Sequence, residues 1–413
     1  MKLNSVPGGV CAPKGFRAAG VHCGVKSSSH GLPSTALKND LALILSDCDC
    51  AAAAVYTTNR VKAAPLYVTM EHLADGRCRG VIANSGNANA CCPGSRENAE
   101  RMCALAAEAT GLAAADFAVA STGVIGQTIN IAAIERGVPG LAERLCYDGS
   151  DAAARAIMTT DTVKKELAIS FEVGGKAVTL GAIAKGSGMI HPNMGTMLCF
   201  ITTDCAICSE LLSGALHTVV PRTFNRVTVD GDTSTNDTCL VLANGMAGNP
   251  CITEEGADYA AFEAALSELC TYLARAIAAD GEGAGRLITC IVSGAADEAT
   301  AEGLAKAVVG SSLVKAAMFG ADANWGRILC AMGYSGQVFD PEGVDVTFRS
   351  AAGEVAVCKA GRGLPFDEEL ASRVLTCDEV VIEAALREGT GTATCWGCDL
   401  TYEYVKINGD YRS

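Results

Sequence analysis

Apolar positions along this chain recur with two periods. Residues 41–45 and 80–83 are short apolar runs, and 197–202 reads as a third buried run, each of strand length. Tyr259, Phe262, Leu266, Leu269 and Leu273 instead recur at spacings of three and four, the stripe of a helix that faces a core. Thr253 is the candidate cap of that helix, and Ser95 that of another over 96–109. Gly281 and Gly283 suit a tight turn behind the stripe, followed by a buried strand over 287–292. Further strands and hairpin edges are expected over 344–349, 354–359, 379–384 and 392–407. Gly-rich turns alternate with β-branched runs and Ala-rich helices, which predicts a mixed α/β protein. No internal repeat, low-complexity tract or long linker stands out.

The 413 residues suffice for two or more domains and a sizeable core. Hydrophobic residues make up 49% and aromatics only 5%, so that core is built largely from small side chains. The net charge of −14 argues against nucleic acid as a partner and offers no basic patch to a membrane surface. It mildly favours a cationic substrate, although most acidic enzymes are acidic merely for solubility. No apolar run of about 18 residues predicts a membrane span. The first residues lack an apolar core of signal-peptide length, so the cytoplasm is expected. The 21 cysteines are odd in number and scattered through a large chain, unlike a small disulfide scaffold, and are expected to be reduced and mostly buried. Cys205-x-x-Cys208 and Cys395-x-x-Cys398 have the form of two zinc half-sites. They lie far apart without a short knuckle context, and no metal is expected.

The chemistry concentrates in residues 185–204, KGSGMIHPNMGTMLCFITTD, where Gly195 meets Thr196. A threonine hydroxyl inside a chain has no built-in base. Scission before Thr196 gives the same residue a free α-amine that can take the hydroxyl proton. Such an amine titrates near ~7.7–8, well placed for base work at neutral pH. Gly195 leaves its carbonyl open to attack by the Thr196 hydroxyl, and an ester formed there would be lost to water. A Gly-Thr pair by itself is ordinarily a turn or a strand end.

Several segments in series, KGSGMIHPNMGTML among them, resemble the ornithine acetyltransferase family, the glutamate N-acetyltransferases of arginine biosynthesis. The others are NSGNANACCPG at 84–94, STGVIG at 121–126, MTTDT at 158–162, RVTVDGDTSTND at 226–237, GADANWGRI at 320–328 and the final INGDYRS. The resemblance implies an α/β layered αββα sandwich, similar to the N-terminal-nucleophile hydrolase arrangement. It implies autocatalytic cleavage into 1–195 and 196–413, two fragments that fold together. The implied enzyme moves an acetyl group from N2-acetylornithine to L-glutamate by a ping-pong route through acetyl-Thr196, releasing ornithine and N-acetylglutamate. Bifunctional members also take acetyl-CoA as donor, and no separate signature marks them. No cofactor is implied, and the usual assembly is a heterotetramer of two copies of each fragment.

Site residues follow from the same resemblance. Thr122 and Gly123 supply a hydroxyl and an amide to the oxyanion, Thr196 is the nucleophile, and Gly195–Thr196 is the scissile pair. Thr159, Lys185, Thr196, Glu282, Asn408 and Ser413 meet the substrate. Ser413 stands where the family often has threonine and retains a hydroxyl. Physically, a lysine ammonium can hold the α-carboxylate common to ornithine and glutamate, and a glutamate can pair with an amine. Read alone, Lys185 is a solvated lysine beside glycine, Glu282 a turn residue, and 121–123 an ordinary turn. Thr159 is preferred to Thr160 on the motif, and Asp161 is a helix cap or a supporting partner. His191 has no catalytic partner in sequence and is read as packing near the scissile bond. The run Asp230 to Asp237 is a structural turn, a wall near the nucleophile, or a cation loop that lacks the full EF-hand spacing. Asn84, Asn87 and Asn89 are turn or support residues. A self-cleaving aminopeptidase or amidohydrolase of related fold is the alternative enzyme, and an uncleaved amino-acid-binding protein the non-enzymatic one.

Overall fold

The computed structural model describes residues 4–26, 38–191 and 197–410. In chain order the elements begin with β1 (Asn4–Val6), β2 (Phe16–Val21), β3 (Leu41–Tyr56), α1 (Ala64–His72), β4 (Arg77–Asn87), α2 (Ser95–Thr110), β5 (Phe117–Val124), α3 (Ile131–Glu143) and α4 (Ser150–Ile157). Next come β6 (Lys165–Val173), β7 (Lys176–Lys185), β8 (Leu198–Thr203), α5 (Ser209–Arg222), β9 (Val227–Thr228), β10 (Thr238–Ala243), α6 (Ala257–Ala279) and β11 (Leu287–Ala295). The last are α7 (Glu298–Gly310), α8 (Ser312–Phe319), α9 (Trp325–Gly333), β12 (Asp345–Ser350), β13 (Gly353–Lys359), β14 (Arg362–Gly363), α10 (Glu368–Leu375), β15 (Glu379–Ala385), β16 (Gly391–Cys398) and α11 (Tyr402–Asp410).

The strands form two mixed sheets. The first runs β1-β6-β7-β8-β10-β3-β4-β5, with β2 paired to β3; the second runs β14-β13-β12-β15-β11-β16-β9. Alternation along each strand divides its side chains between two faces. Leu198 and Phe200 of β8 join a core with Ile44 of β3, Leu240 of β10 and Ala153 and Ile157 of α4, whereas Cys199 and Ile201 face α5 and α6. The helix α4 packs against β2, β3, β4, β6 and β7, so the first sheet curls around it. On the second sheet, Val308, Met318, Ile328 and Leu375 of α7 to α10 cover Ile288, Phe348 and Ile382.

The predicted stripe lies between the sheets. Phe262, Leu266, Leu269 and Leu273 of α6 are buried against Ile201 on one side and Leu287 and Trp396 on the other, with Tyr259 packed at the edge. Burial of each such side chain is worth roughly 1.5–3 kcal/mol. The α/β expectation is met, with helices on both mixed sheets. The runs predicted as strands over 41–45, 80–83, 287–292, 354–359 and 379–384 lie in β3, β4, β11, β13 and β15, and those over 197–202 and 344–349 fall on β8 and β12 within one residue.

Three local expectations are corrected. Ser95 is the first helical residue and not the cap; Gly94 takes that place in the left-handed region, and the Ser95 hydroxyl donates to the Cys92 carbonyl at 2.8 Å. Thr253 does not cap α6, which begins after Gly256. The strand expected over 392–407 stops at Cys398, and 402–410 is the helix α11. Twelve of the 21 cysteines are buried, and all are free thiols. Among the described residues, no helix is long and apolar enough to cross a membrane.

Candidate active site

Thr122, Gly123, Thr159, Lys185, Glu282 and Asn408 all line one cavity of about 160 Å³. The end of β5 contributes the first two, the turn after α4 Thr159 and Thr160, and the last residue of β7 Lys185. Met197 and Leu198, at the start of β8, complete that side; Ile125, residues 188–190, the 230–237 segment, the turn after α6 and α11 form the rest. Gly195, Thr196 and Ser413 lie outside the described residues. A larger groove of about 480 Å³, between Ser311, Arg327 and Tyr334, holds none of the candidate residues.

Lys185 is only 7% exposed, not the solvated lysine that its glycine neighbour suggests. Its Nζ donates to Thr122 Oγ1 at 3.2 Å. Burial pushes its pKa down, and the Asp161 carboxylate opposes that push. Asp161 is the supporting partner, not a helix cap. Its Oδ1 accepts from Lys165 Nζ at 2.7 Å and from the Gly186 amide at 2.8 Å, and its Oδ2 from the Thr159 amide at 3.0 Å. Burial raises the Asp161 pKa, but Lys165 and Lys185 outweigh it and hold the group at about 2. Lys165 reaches on to Asp280 Oδ2 at 2.5 Å. The Asp280 carbonyl accepts from Ser187 Oγ at 2.7 Å, and the Ser187 carbonyl from the Glu282 amide at 3.0 Å. One network therefore ties Thr159, the Gly186 amide beside Lys185 and Glu282 together. Both Thr159 and Thr160 line the cavity, so the choice between them is not narrowed.

Gly123 sits at φ +130°, a region that only glycine enters easily. A Cβ there would lie 2.3 Å from the Gly86 carbonyl carbon, because β4 and β5 meet at Gly86 and Gly123. Asn side chains brace this strand end. Ser121 Oγ donates to Asn84 Oδ1 at 2.6 Å, and Asn236 Nδ2 donates to the Ser121 and Ala88 carbonyls at 2.9 and 2.6 Å. Asn84, Asn87 and Asn89 are buried supports and do not line the cavity.

Glu282 is buried at 7% exposure, in contrast to an ordinary turn glutamate. Asn408 Nδ2 donates to its Oε2 at 2.7 Å. Gly188 gives the carboxyl group room: a Cβ at 188 would come within 2.3–2.4 Å of it. The helix α11 buries no residue, yet it is fastened at its start. Thr401 Oγ1 donates to the Gly283 carbonyl at 2.6 Å, and Asp399 Oδ1 accepts from the Gly285 and Arg286 amides at 2.7 and 3.1 Å.

The 230–237 segment is both a turn and a wall. Asp230 accepts from the Met189, Ile190 and Asp232 amides at 2.6, 2.9 and 3.1 Å, holding Met189 at φ +56°. Among the described residues, no group of three His, Cys, Asp or Glu could hold a metal ion. His191 hydrogen-bonds through Nδ1 to Thr228 Oγ1 at 3.0 Å, and burial pushes its pKa down to about 4. It does not line the cavity. Sequence reading missed Lys165, Asp280 and Tyr404, and did not separate Asp237 from its neighbours. Only Lys165, four residues after the Asp161 of MTTDT, hints at the ion pair.

A model described as the ArgJ family matches residues 17–413. The arginine biosynthesis bifunctional protein ArgJ of Symbiobacterium thermophilum is 52% identical over 408 residues, covering 98% of this chain and 99% of that protein. Among solved structures, the arginine biosynthesis bifunctional protein argJ of Bacillus halodurans is 48% identical, with TM-score 0.49, over 51% of this chain and 98% of that one. An ornithine acetyltransferase of Mycobacterium tuberculosis, complexed with ornithine, is 39% identical, with TM-score 0.42, over 46% of this chain and 99% of that one. By the extent of the model match and the identity to full-length relatives, this chain belongs to the ArgJ family.

Proposed function

We propose that this chain is an acyltransferase of arginine biosynthesis that moves the acetyl group of N2-acetylornithine to L-glutamate through an ester on Thr196. Membership in the ArgJ family supports the reaction, since relatives of about half identity carry the name of a bifunctional arginine biosynthesis protein. The convergence of six candidate residues on one cavity carries the assignment of the site. Met197 and Leu198, which follow the proposed nucleophile directly, stand on the wall of the same cavity.

The roles follow from charge and geometry. Scission of the Gly195–Thr196 bond frees the α-amine that activates the hydroxyl, and 1–195 and 196–413 stay together because β8 is embedded between β7 and β10. The Lys185 ammonium holds the α-carboxylate common to both amino acids, and no carboxylate among the described residues forms an ion pair with it. Thr122 and Gly123 stabilise the oxyanion. Glu282, steadied by Asn408, receives the ornithine side-chain ammonium, with Thr159 and Ser413 as further contacts. No cofactor enters these steps. Acetyl-CoA serves as the second donor, a role that the word bifunctional in the relatives' names favours. A cytoplasmic assembly of two copies of each fragment completes the proposal.

The test is a paired assay of N-acetylglutamate and free acetate formed from N2-acetylornithine and L-glutamate. N-acetylglutamate in large excess is expected, and Thr196→Ala is expected to abolish it. Acetate as the main product would instead mark a hydrolase.

A further inference from the structure

Asp237 is a buried carboxyl group that the reaction so far leaves unused. It lines the cavity, is 2% exposed, and its Oδ2 has no hydrogen-bond partner among the described residues. A buried, unpartnered carboxylate oxygen ordinarily destabilises a fold, so its retention in a cavity wall asks for a reason. Sheet register fixes its place. Thr238 pairs with Leu198 in the parallel β8–β10 ladder, and the Thr238 amide donates to the Met197 carbonyl at 2.9 Å. Asp237 therefore stands beside the start of β8, with its own carbonyl held by the Thr57 amide at 3.0 Å.

We propose that Asp237 is a catalytic acid and base of this site, the group that stores one proton between the two half-reactions. The inference rests on the reading that Thr196 carries the acetyl group. When the amide of acetylornithine breaks, its nitrogen leaves as an ammonium and must gain two protons. The Thr196 hydroxyl provides one, through its own amine, as its oxygen bonds to the acetyl carbon. Asp237, entering as the carboxylic acid, provides the other and becomes a carboxylate. In the second half the glutamate ammonium gives up two protons as its nitrogen bonds to the acetyl carbon and the ester C–O bond breaks. One returns to the Thr196 oxygen and one to Asp237, so the cycle closes without an outside acid.

The surroundings suit a group that changes protonation. Burial pushes the Asp237 pKa well up, opposed by a hydrogen bond from the Ser234 hydroxyl and by the Lys185 ammonium across the cavity. Asp230, Asp232, Glu282 and Tyr404 are the other ionisable groups on the cavity wall. A raised pKa leaves the acid form available at the pH where the amine must leave, as acid–base catalysis requires.

The test is single-turnover acylation by acetylornithine alone, followed by intact-protein mass spectrometry across pH 5–9. Wild-type acylation is expected to slow as pH rises through the Asp237 pKa. Asp237→Asn should slow it about 100-fold and flatten that limb. Ser234→Ala, which leaves the carboxyl in place and removes a hydrogen bond that lowers its pKa, should move the limb to higher pH. Wild-type rate and an unchanged limb in Asp237→Asn, or an unmoved limb in Ser234→Ala, overturns the role of Asp237 alone. Absence of acetyl on Thr196 in the wild type overturns the acyl-carrier reading and this inference with it.

Discussion

The Lys185 ammonium lies 3.2 Å from the Thr122 hydroxyl, although their strands are far apart in the sheet. From β7 to β5 the path crosses β8, β10, β3 and β4. Five spacings of a flat sheet would span about 24 Å, several times the reach of a lysine side chain. The curl of the sheet around α4 closes that distance. The site is thus a consequence of sheet curvature, with strand ends from opposite halves of the sheet facing a common cavity.

The proposed carboxylate clamp is tested by Lys185→Met, which keeps much of the volume and removes the charge. A charge-assisted hydrogen bond is worth roughly 1.5–3 kcal/mol, so binding of both ornithine and glutamate should weaken about 10- to 100-fold. Calorimetric titration of each amino acid checks this. A loss confined to ornithine would contradict a role at the shared α-carboxylate.

Thr122→Val removes the hydroxyl that meets Lys185 and is proposed to meet the oxyanion. The expected result is a fall in kcat of about 100- to 1000-fold with little change in thermal stability. A change in KM alone would assign Thr122 to substrate binding and not to the oxyanion.

Gly188→Ala is expected to act at a distance of one side chain. Its Cβ would lie 2.3 Å from the Glu282 carboxyl carbon, so the carboxyl group must move. The variant should reproduce the kinetic defect of Glu282→Gln, and the double variant should be no worse than either single one. Additive losses would show that the two positions act separately.

Asp161 links stability to acid. Its pKa is depressed to about 2, below the ordinary aspartate value of ~3.9, so its contribution is present above the ordinary value and is lost as pH falls through about 2. Asp161→Asn breaks a buried pair and should cost roughly 3–5 kcal/mol at pH 7. The gap from wild type should narrow between about pH 4 and pH 2. Denaturant unfolding at several pH values measures it; a gap that stays constant with pH would mean that Asp161 acts through packing and not through its charge.

Much of this molecule is legible in its sequence because the signal is local. The α6 stripe and the strand behind it follow from spacing alone, since periodicity and burial agree there. The 402–410 segment misleads for a physical reason. Its tyrosines, Val405 and Ile407 favour a strand, but no sheet edge receives them, and the contacts of Asp399 and Thr401 with the 283–286 turn start a helix instead. Ser95 and Thr253 carry good capping side chains, yet flanking glycines take the non-helical positions. In the site, motifs gave the residues on strand ends and turns. Beyond the four-residue spacing of Asp161 and Lys165, the link to Asp280 and the orphaned oxygen of Asp237 arise only when distant segments are folded together.

The most direct measurement is the intact mass of the purified protein before and after incubation with N2-acetylornithine alone. Two polypeptides corresponding to 1–195 and 196–413 are expected, the second gaining one acetyl group that maps to Thr196 and that L-glutamate then removes. A single unbroken polypeptide that still catalyses acetyl exchange at full rate would contradict the use of a liberated threonine amine.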